Sequence, residues 1–474
     1  MVKVIKGKKV FLTDIIDTIK NSFKDLEYDI ILVDKVEDLE YKLFIVSSNI
    51  NDLSFMNHKL EGLNYKYVEK DNGSLVYYND FLKVKIKLAV KNSRGFVYEM
   101  KLLEKDEYKK DFLNEFVEEI IYPKNENSSI NLVSSIKKHF KVEPQEKTLS
   151  DFSINTNKVI LILMDGLGIN ILNKHLGKDS FLRRHLDREL IATFPPTTVA
   201  ATTAILSGKK PSQTGWLGWH QYFKEVSEDV ILFLGVGQYS DNDYGRDFAN
   251  NRLPFTYFYD DFKNVTISNH LEEYLCGKLA TLDEFKKAIL EDSNKPGKQF
   301  SYFYHSCPDG IMHQEGIDSE NTKKFLVQFD KMMEELNEEL GRDTTIIVTA
   351  DHGHVNVEPI YLINFPEIID LLERKPSIEA RTTTFWVNDK KRFIEEFNKY
   401  FKDDFILYNK QEIIEKEFFG PKSPYLEEFI GDFVAIAKSK YYFDVYYGDI
   451  LFKGHHAGIT KDEMLIPLIK IEKK

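Results

Sequence analysis

The chain has 474 residues, 42% of them hydrophobic, a formal net charge of −12 and two cysteines, Cys276 and Cys307. That length allows roughly two or three domains at about 150 residues each. The acidic balance excludes a general attraction to nucleic acid or anionic membrane, and two cysteines exclude a disulfide framework and a Cys-type zinc knuckle. The N-terminus has no long apolar segment, so the expectation is a cytoplasmic protein without signal peptide or membrane span.

Residues 1–150 mix charged amphipathic stretches with short strand-like runs such as Ile30-Ile31-Leu32-Val33 and Leu43-Phe44-Ile45-Val46. Leu82 to Val90 alternates with period two, as a half-exposed strand does. This region reads as a separate N-terminal α/β or α+β domain with no catalytic motif. The polar stretch near Pro144 to Asp151 reads as a linker.

From Lys158 the texture changes. Val159 to Met164 is a continuous apolar run, as a strand buried on both faces requires. Similar runs are Val230 to Leu234, Phe300 to His305 and Thr344 to Thr349, with helical stretches such as Asn321 to Leu340 between them. Strand–helix alternation predicts an α/β fold, a doubly wound and mostly parallel sheet, over 151–375. Residues 376–446 read as an inserted α+β cap, and 447–474 as a return to the core.

Five places carry chemistry-bearing residues. After the first buried strand comes Asp165-Gly166-Leu167-Gly168. A dinucleotide fingerprint would need glycine where Ile171 stands, and Asp165 would put a negative charge where a pyrophosphate sits. A metal-binding carboxylate at the strand end fits better, although alone Asp165 reads as a helix cap. The second place is Thr197-Thr198, opening a small-residue helix whose free amides would favour a phosphate. In the third, Asp309 and His313 are four apart, on one face of a helix turn. In the fourth, Asp351-His352 ends a buried strand, where polar groups need partners. In the fifth, His455-His456, an extended pair faces opposite ways, so at most one of the two is expected as a ligand, and alone the pair reads as incidental. Each is unremarkable alone. Together, the Asp and His at successive strand ends suffice for two divalent metal ions, and mixed Asp/His donors suit zinc, with manganese the alternative.

The order Asp165, Thr198, Asp309-x-x-x-His313, Asp351-His352, His456 resembles the alkaline phosphatase superfamily, most closely its nucleotide pyrophosphatase/phosphodiesterase branch, over residues 155–474. The resemblance implies an alkaline phosphatase-like core with a cap beside the site. It implies that Asp165, Thr198, Asp351 and His352 surround one ion, and that Asp309, His313 and His456 hold the other. Within the family the nucleophile lies nine residues before the small residue of a Thr/Ser-Gly pair, and counting back from Ser207 gives Thr198, with Thr197 its competitor. His456-Ala457-Gly458-Ile459-Thr460 resembles the family's His-Gly-Gly-Leu-Thr type segment, which favours His456 over His455. His354 is not expected within ligand distance of the ion shared with Thr198, and it is not among the ligands named for the other. Ala201 stands where the family's phosphate-binding Asn usually is, which leaves Thr202 as the candidate donor. Trp216, Trp219 and Tyr222 are candidates for the mouth of the site.

The implied activity is a two-metal phosphodiesterase or pyrophosphatase acting on a nucleotide-like or other small phosphate ester through a phospho-threonine. Alternatives on the same scaffold are a phosphomonoesterase, phosphonate hydrolase or phosphomutase. An alternative of another class is a binding or scaffold protein with a degenerate site. The expected partner is the small substrate alone, apart from self-association through the N-terminal domain.

Overall fold

The computed structural model describes residues 119–123, 126–271, 281–446 and 451–473, and the backbone of six strands between residues 29 and 103. The chain forms two compact units, Met1–Val117 and Glu118–Lys474. The division therefore falls before, not at, the linker expected near 150. The reason is the helix Ser129–His139, whose Leu132, Val133 and Ile136 are buried in the core of the second unit. In the first unit the six strands form one antiparallel sheet, in the order Asp29–Glu37, Glu40–Val46, Gly95–Leu103, Lys83–Asn92, Ser74–Tyr78, Lys66–Asp71. The helical part expected there lies outside the described residues, as does Cys276.

The second unit is built on a six-stranded sheet. Its strands in chain order are β1 (Lys158–Met164), β2 (Leu186–Ile191), β3 (Thr266–His270), β4 (Gln299–His305), β5 (Thr344–Thr349) and β6 (Leu465–Lys473). Their spatial order is β3-β4-β1-β5-β6-β2. The first four neighbours are parallel, and β6 is antiparallel to β5 and β2. β1 and β4 are buried along almost their whole length, because helices cover both faces. Glu320–Glu339 shows how the sequence places such a helix. Ser319 caps it through the Thr322 amide, and Leu326, Phe329, Met333 and Leu336 recur at helical spacing on its buried face. Each such side chain contributes about 1.5–3 kcal/mol by leaving water.

The run Val230 to Leu234, expected among these strands, lies elsewhere, and its strand is Glu228–Ile231. It belongs to a second, seven-stranded sheet with Val236–Gly237, His220–Phe223, Ser377–Ile378, Thr382–Phe385, Phe433–Ala437 and Phe405–Asn409. The cap is thus composite, joining the 220–237 segment to the 376–446 insert through the bridge of His220 to Ile378. Among the described residues no helix is long and apolar enough to cross a membrane.

Candidate active site

Parallel register sets the site. Met164 stands opposite His305, and Leu163 opposite Thr349, so β1, β4 and β5 end side by side. The residues that follow them, Asp165, Asp309 and Asp351, converge at this carboxyl edge, where open α/β sheets hold ligands. Gly166 takes a left-handed turn (φ 73°) immediately after Asp165. A Cβ on Gly168 would lie 2.5 Å from the Gly353 Cα. The glycines after β1 and β5 therefore let two backbones touch, and they do not cradle a nucleotide.

The helix Thr198–Ser207 enters from the side, with Thr197 as its N-cap residue and Val199 to Ser207 all buried. The two threonines diverge. Thr197 Oγ1 donates to Glu379 Oε1 at 2.6 Å and is spent on the cap. Thr198 Oγ1 lies 3.4 Å from both carboxylate oxygens of Asp165 and 3.3 Å from His352 Nε2. Thr198 is thus the hydroxyl aimed at the carboxylates.

Around Thr198 the ligand atoms of Asp165, Asp309 and His352 lie within 4.8 Å of one another. Asp351 adjoins them: its Oδ2 is 3.7 Å from His352 Nε2, and its Oδ1 accepts the Gly166 amide at 3.1 Å. A second group, Asp309, His313, His354 and His456, also has its ligand atoms within 4.8 Å of one another. The His352 and His456 rings stack at 3.7 Å, so the two groups abut.

Three imidazoles have their Nδ1 atoms against backbone carbonyls: His313 on Gly454, His352 on Gly353 and His456 on Pro196. This leaves each Nε2 facing inward, the arrangement that orients metal-ligating histidines. Burial holds His354 and His456 well below the usual imidazole range, so both are neutral with a lone pair to give. Burial, then the charge of Asp309, raises Asp165; burial, then Asp165, raises Asp351 well above the carboxylate range. Burial lowers His352, but Asp351 and Asp165 outweigh it and hold the ring at about 10. Asp309 Oδ1 and His354 Nε2 are buried without a hydrogen-bond partner. Buried carboxylates that push one another up, beside neutral imidazoles, are what a divalent cation offsets, and the residues fit one.

Three expectations need correction. His354 is absent from the group around Thr198, as expected, but it is not among the ligands expected for the second group, inside which it is fully buried. Trp216 is core, its Nε1 donating to the Leu253 carbonyl between Phe233 and Phe255. Thr202 does not face the pocket, because its hydroxyl lies 3.4 Å from Asp351 Oδ2 and is directed at that carboxylate. Trp219 does line the pocket, a cavity of about 410 Å³ with Thr198, Tyr239, Glu379, Asp444 and Phe452 among its walls. Tyr222 packs under the Arg374 guanidinium instead. Two residues of the site were missed in the sequence. Tyr304 donates to Asp165 Oδ2, and Glu379 accepts from both Thr197 and the Trp219 amide. Tyr304 is the penultimate residue of β4 and so is readable in retrospect, whereas Glu379 carries no motif.

The sequence model of the type I phosphodiesterase / nucleotide pyrophosphatase family matches residues 159–458, which include every residue of both groups. The chain belongs to that family. As a type I phosphodiesterase / nucleotide pyrophosphatase it is a phosphodiesterase or pyrophosphatase hydrolase, with its candidate metal-binding groups at the edge of the family's core. Similar solved structures include murine and human ectonucleotide pyrophosphatase/phosphodiesterase 5. Each is 15% identical with a TM-score of 0.48, over 66% of this chain and 87% of the other. An inactive variant of the murine protein in complex with AMP matches equally. No curated protein matches the chain.

Proposed function

We propose that this chain cleaves phosphodiester or pyrophosphate bonds of small, nucleotide-like substrates, with Thr198 as nucleophile and two divalent ions, zinc by donor chemistry, as cofactors. The position of Thr198 carries the reading. Its hydroxyl lies 3.3–3.4 Å from His352 and Asp165 and lines the pocket. Asp165, Asp351 and His352 would hold one ion, and Asp309, His313 and His456 the other. When bound, such ions lower the pKa of a coordinated hydroxyl and offset charge on the phosphoryl oxygens.

Thr198 Oγ1 attacks phosphorus in line with the leaving group. The new O–P bond forms as the bond to the leaving oxygen breaks, and a phospho-threonine ester results. Water then attacks the same phosphorus and releases Thr198. The first-turn amides of the 198–207 helix have no intrahelical acceptor and supply fixed donors to the phosphoryl oxygens. They take the place of the donor that Thr202 does not provide.

The pocket wall favours a diester. Among the described residues no lysine or arginine lines it, while Glu379 and Asp444 do. A dianionic monoester would meet carboxylates without a compensating side chain, whereas a diester brings a single charge. Trp219 offers a partly exposed aromatic face for a flat leaving group. The test is a comparison of kcat/KM for aryl diesters, dinucleotide pyrophosphates and aryl monoesters on zinc- and manganese-loaded enzyme. Diesters or pyrophosphates should lead by about 100-fold or more, some 2.7 kcal/mol of transition-state preference. A monoester preference would move the chain to the phosphomonoesterase reading.

A further inference from the structure

His354 offers the second group a third imidazole. Asp309 Oδ1 lies 3.3 Å from His313 Nε2, 3.2 Å from His354 Nε2 and 3.7 Å from His456 Nε2. Four donors about 2.0–2.1 Å from a tetrahedral ion stand about 3.4 Å apart, so the three separations from Asp309 are close to edges of a four-ligand shell, and all four ligand atoms lie within 4.8 Å of one another. His354 is fully buried, and neither its Nε2 nor the facing Asp309 oxygen has a hydrogen-bond partner. A nitrogen and a carboxylate oxygen left so in the interior are costly unless a cation lies between them.

The surroundings make room for this ring. A Cβ on Gly454 would come within 2.8 Å of His354 Cε1, so any larger residue there would displace the imidazole. The same glycine's carbonyl orients His313 through Nδ1. His354 comes from the turn after β5. That turn is pinned where a Cβ on Gly353 would lie 1.9 Å from the Asp462 carbonyl, and where Val355 pairs with His455.

Resting on the two-ion reading, we propose that Asp309, His313, His354 and His456 form a closed, four-coordinate site, so that the two ion sites of this chain are unequal. One is saturated by protein donors and retains its ion as structural sites do. The other, at Asp165, Asp351 and His352, keeps open positions beside Thr198. The first ion taken up should therefore enter the closed site and leave it last.

Cobalt(II) titration of the metal-free full-length chain, wild type against His354→Gln, tests this. In the wild type the first equivalent should give the intense visible bands of four-coordinate cobalt. In the variant these bands should weaken, and chelator competition should show the tighter affinity reduced by more than about 100-fold, beyond the usual cost of losing a second-shell partner. The weaker site should change little. A variant with unchanged bands would make His354 a neighbour of Asp309 only and overturn the proposal. Should His354→Gln fail to fold, X-ray absorption on wild type with one equivalent of zinc decides, with three imidazoles predicted and two contradicting. A wild type that binds no divalent ion would sink the two-ion reading itself, whereas two ions bound equally tightly would sink only the inequality.

Discussion

Thr197 and Thr198 are adjacent in sequence and opposite in fate. The backbone places one hydroxyl on the cap carboxylate of Glu379 and the other against Asp165 and His352. Glu379 accepts from both Thr197 and the Trp219 amide while buried, so it fixes Thr197 beside Thr198, the proposed nucleophile. Glu379→Ala leaves those two donors orphaned, at about 1–3 kcal/mol each. Differential scanning calorimetry should show a lowered Tm, and kcat should fall with metal content unchanged. Trp219→Ala should mainly raise KM, by about tenfold for a lost aromatic contact of about 1–1.5 kcal/mol, with kcat nearly preserved. Equal losses in kcat and kcat/KM would make Trp219 part of the reacting geometry instead. Most of the candidate ligand set was legible, because Asp165 and Asp351 follow buried strands and Asp309 and His313 share a helix face. His354 was not. It stands two residues beyond His352 and outside any motif, and only the turn after β5 brings its ring into the neighbouring group. Trp216 and Thr202 were misread for a common reason, since an indole or hydroxyl near a site can as well be spent on a carbonyl or carboxylate behind it.

Among the elements, the Glu379–Thr382 segment of the cap braces both halves of the site. Glu379 holds the Thr197 loop, Thr382 Oγ1 donates to the Ala457 carbonyl, and Arg381 pairs with Glu463 through two hydrogen bonds of 2.7 and 2.9 Å. Glu463 in turn accepts the Gly458 amide and the Thr460 hydroxyl, fixing the loop that carries His456. Both charged partners are fully buried. Removing one, as in Glu463→Leu, should cost about 3–5 kcal/mol in chemical denaturation, while Arg381→Met with Glu463→Leu should recover part of the loss. A single variant as stable as the wild type would contradict the brace. Strands β1, β4 and β5 were readable because each is an apolar run bounded by turns and helices, whereas β2 and β3 carry mostly polar, partly exposed residues and gave no such signal. The Val230 run was misplaced because a short strand packed on the cap's own apolar cluster has the same composition. The composite cap was not legible because its strands pair across more than a hundred residues, as His220 does with Ile378.

At the scale of the whole molecule, the second compact unit contains every candidate ligand, the proposed nucleophile and the pocket. A fragment of residues 118–474 should therefore fold, bind divalent metal and turn over diesters at a rate within about threefold of the full chain, the common scatter of such comparisons. Loss of metal binding in a folded fragment would assign residues 1–117 a part in the site. The central claim joins a threonine nucleophile to a metal-dependent diesterase. Elemental analysis and diester turnover, measured side by side on wild type and Thr198→Ala, test it most directly. Two divalent ions per chain in both proteins, with turnover reduced by about 10³-fold or more in the variant and abolished in wild type by chelation, is the predicted result. Full activity in Thr198→Ala, or wild-type activity that survives complete removal of metal, would contradict it.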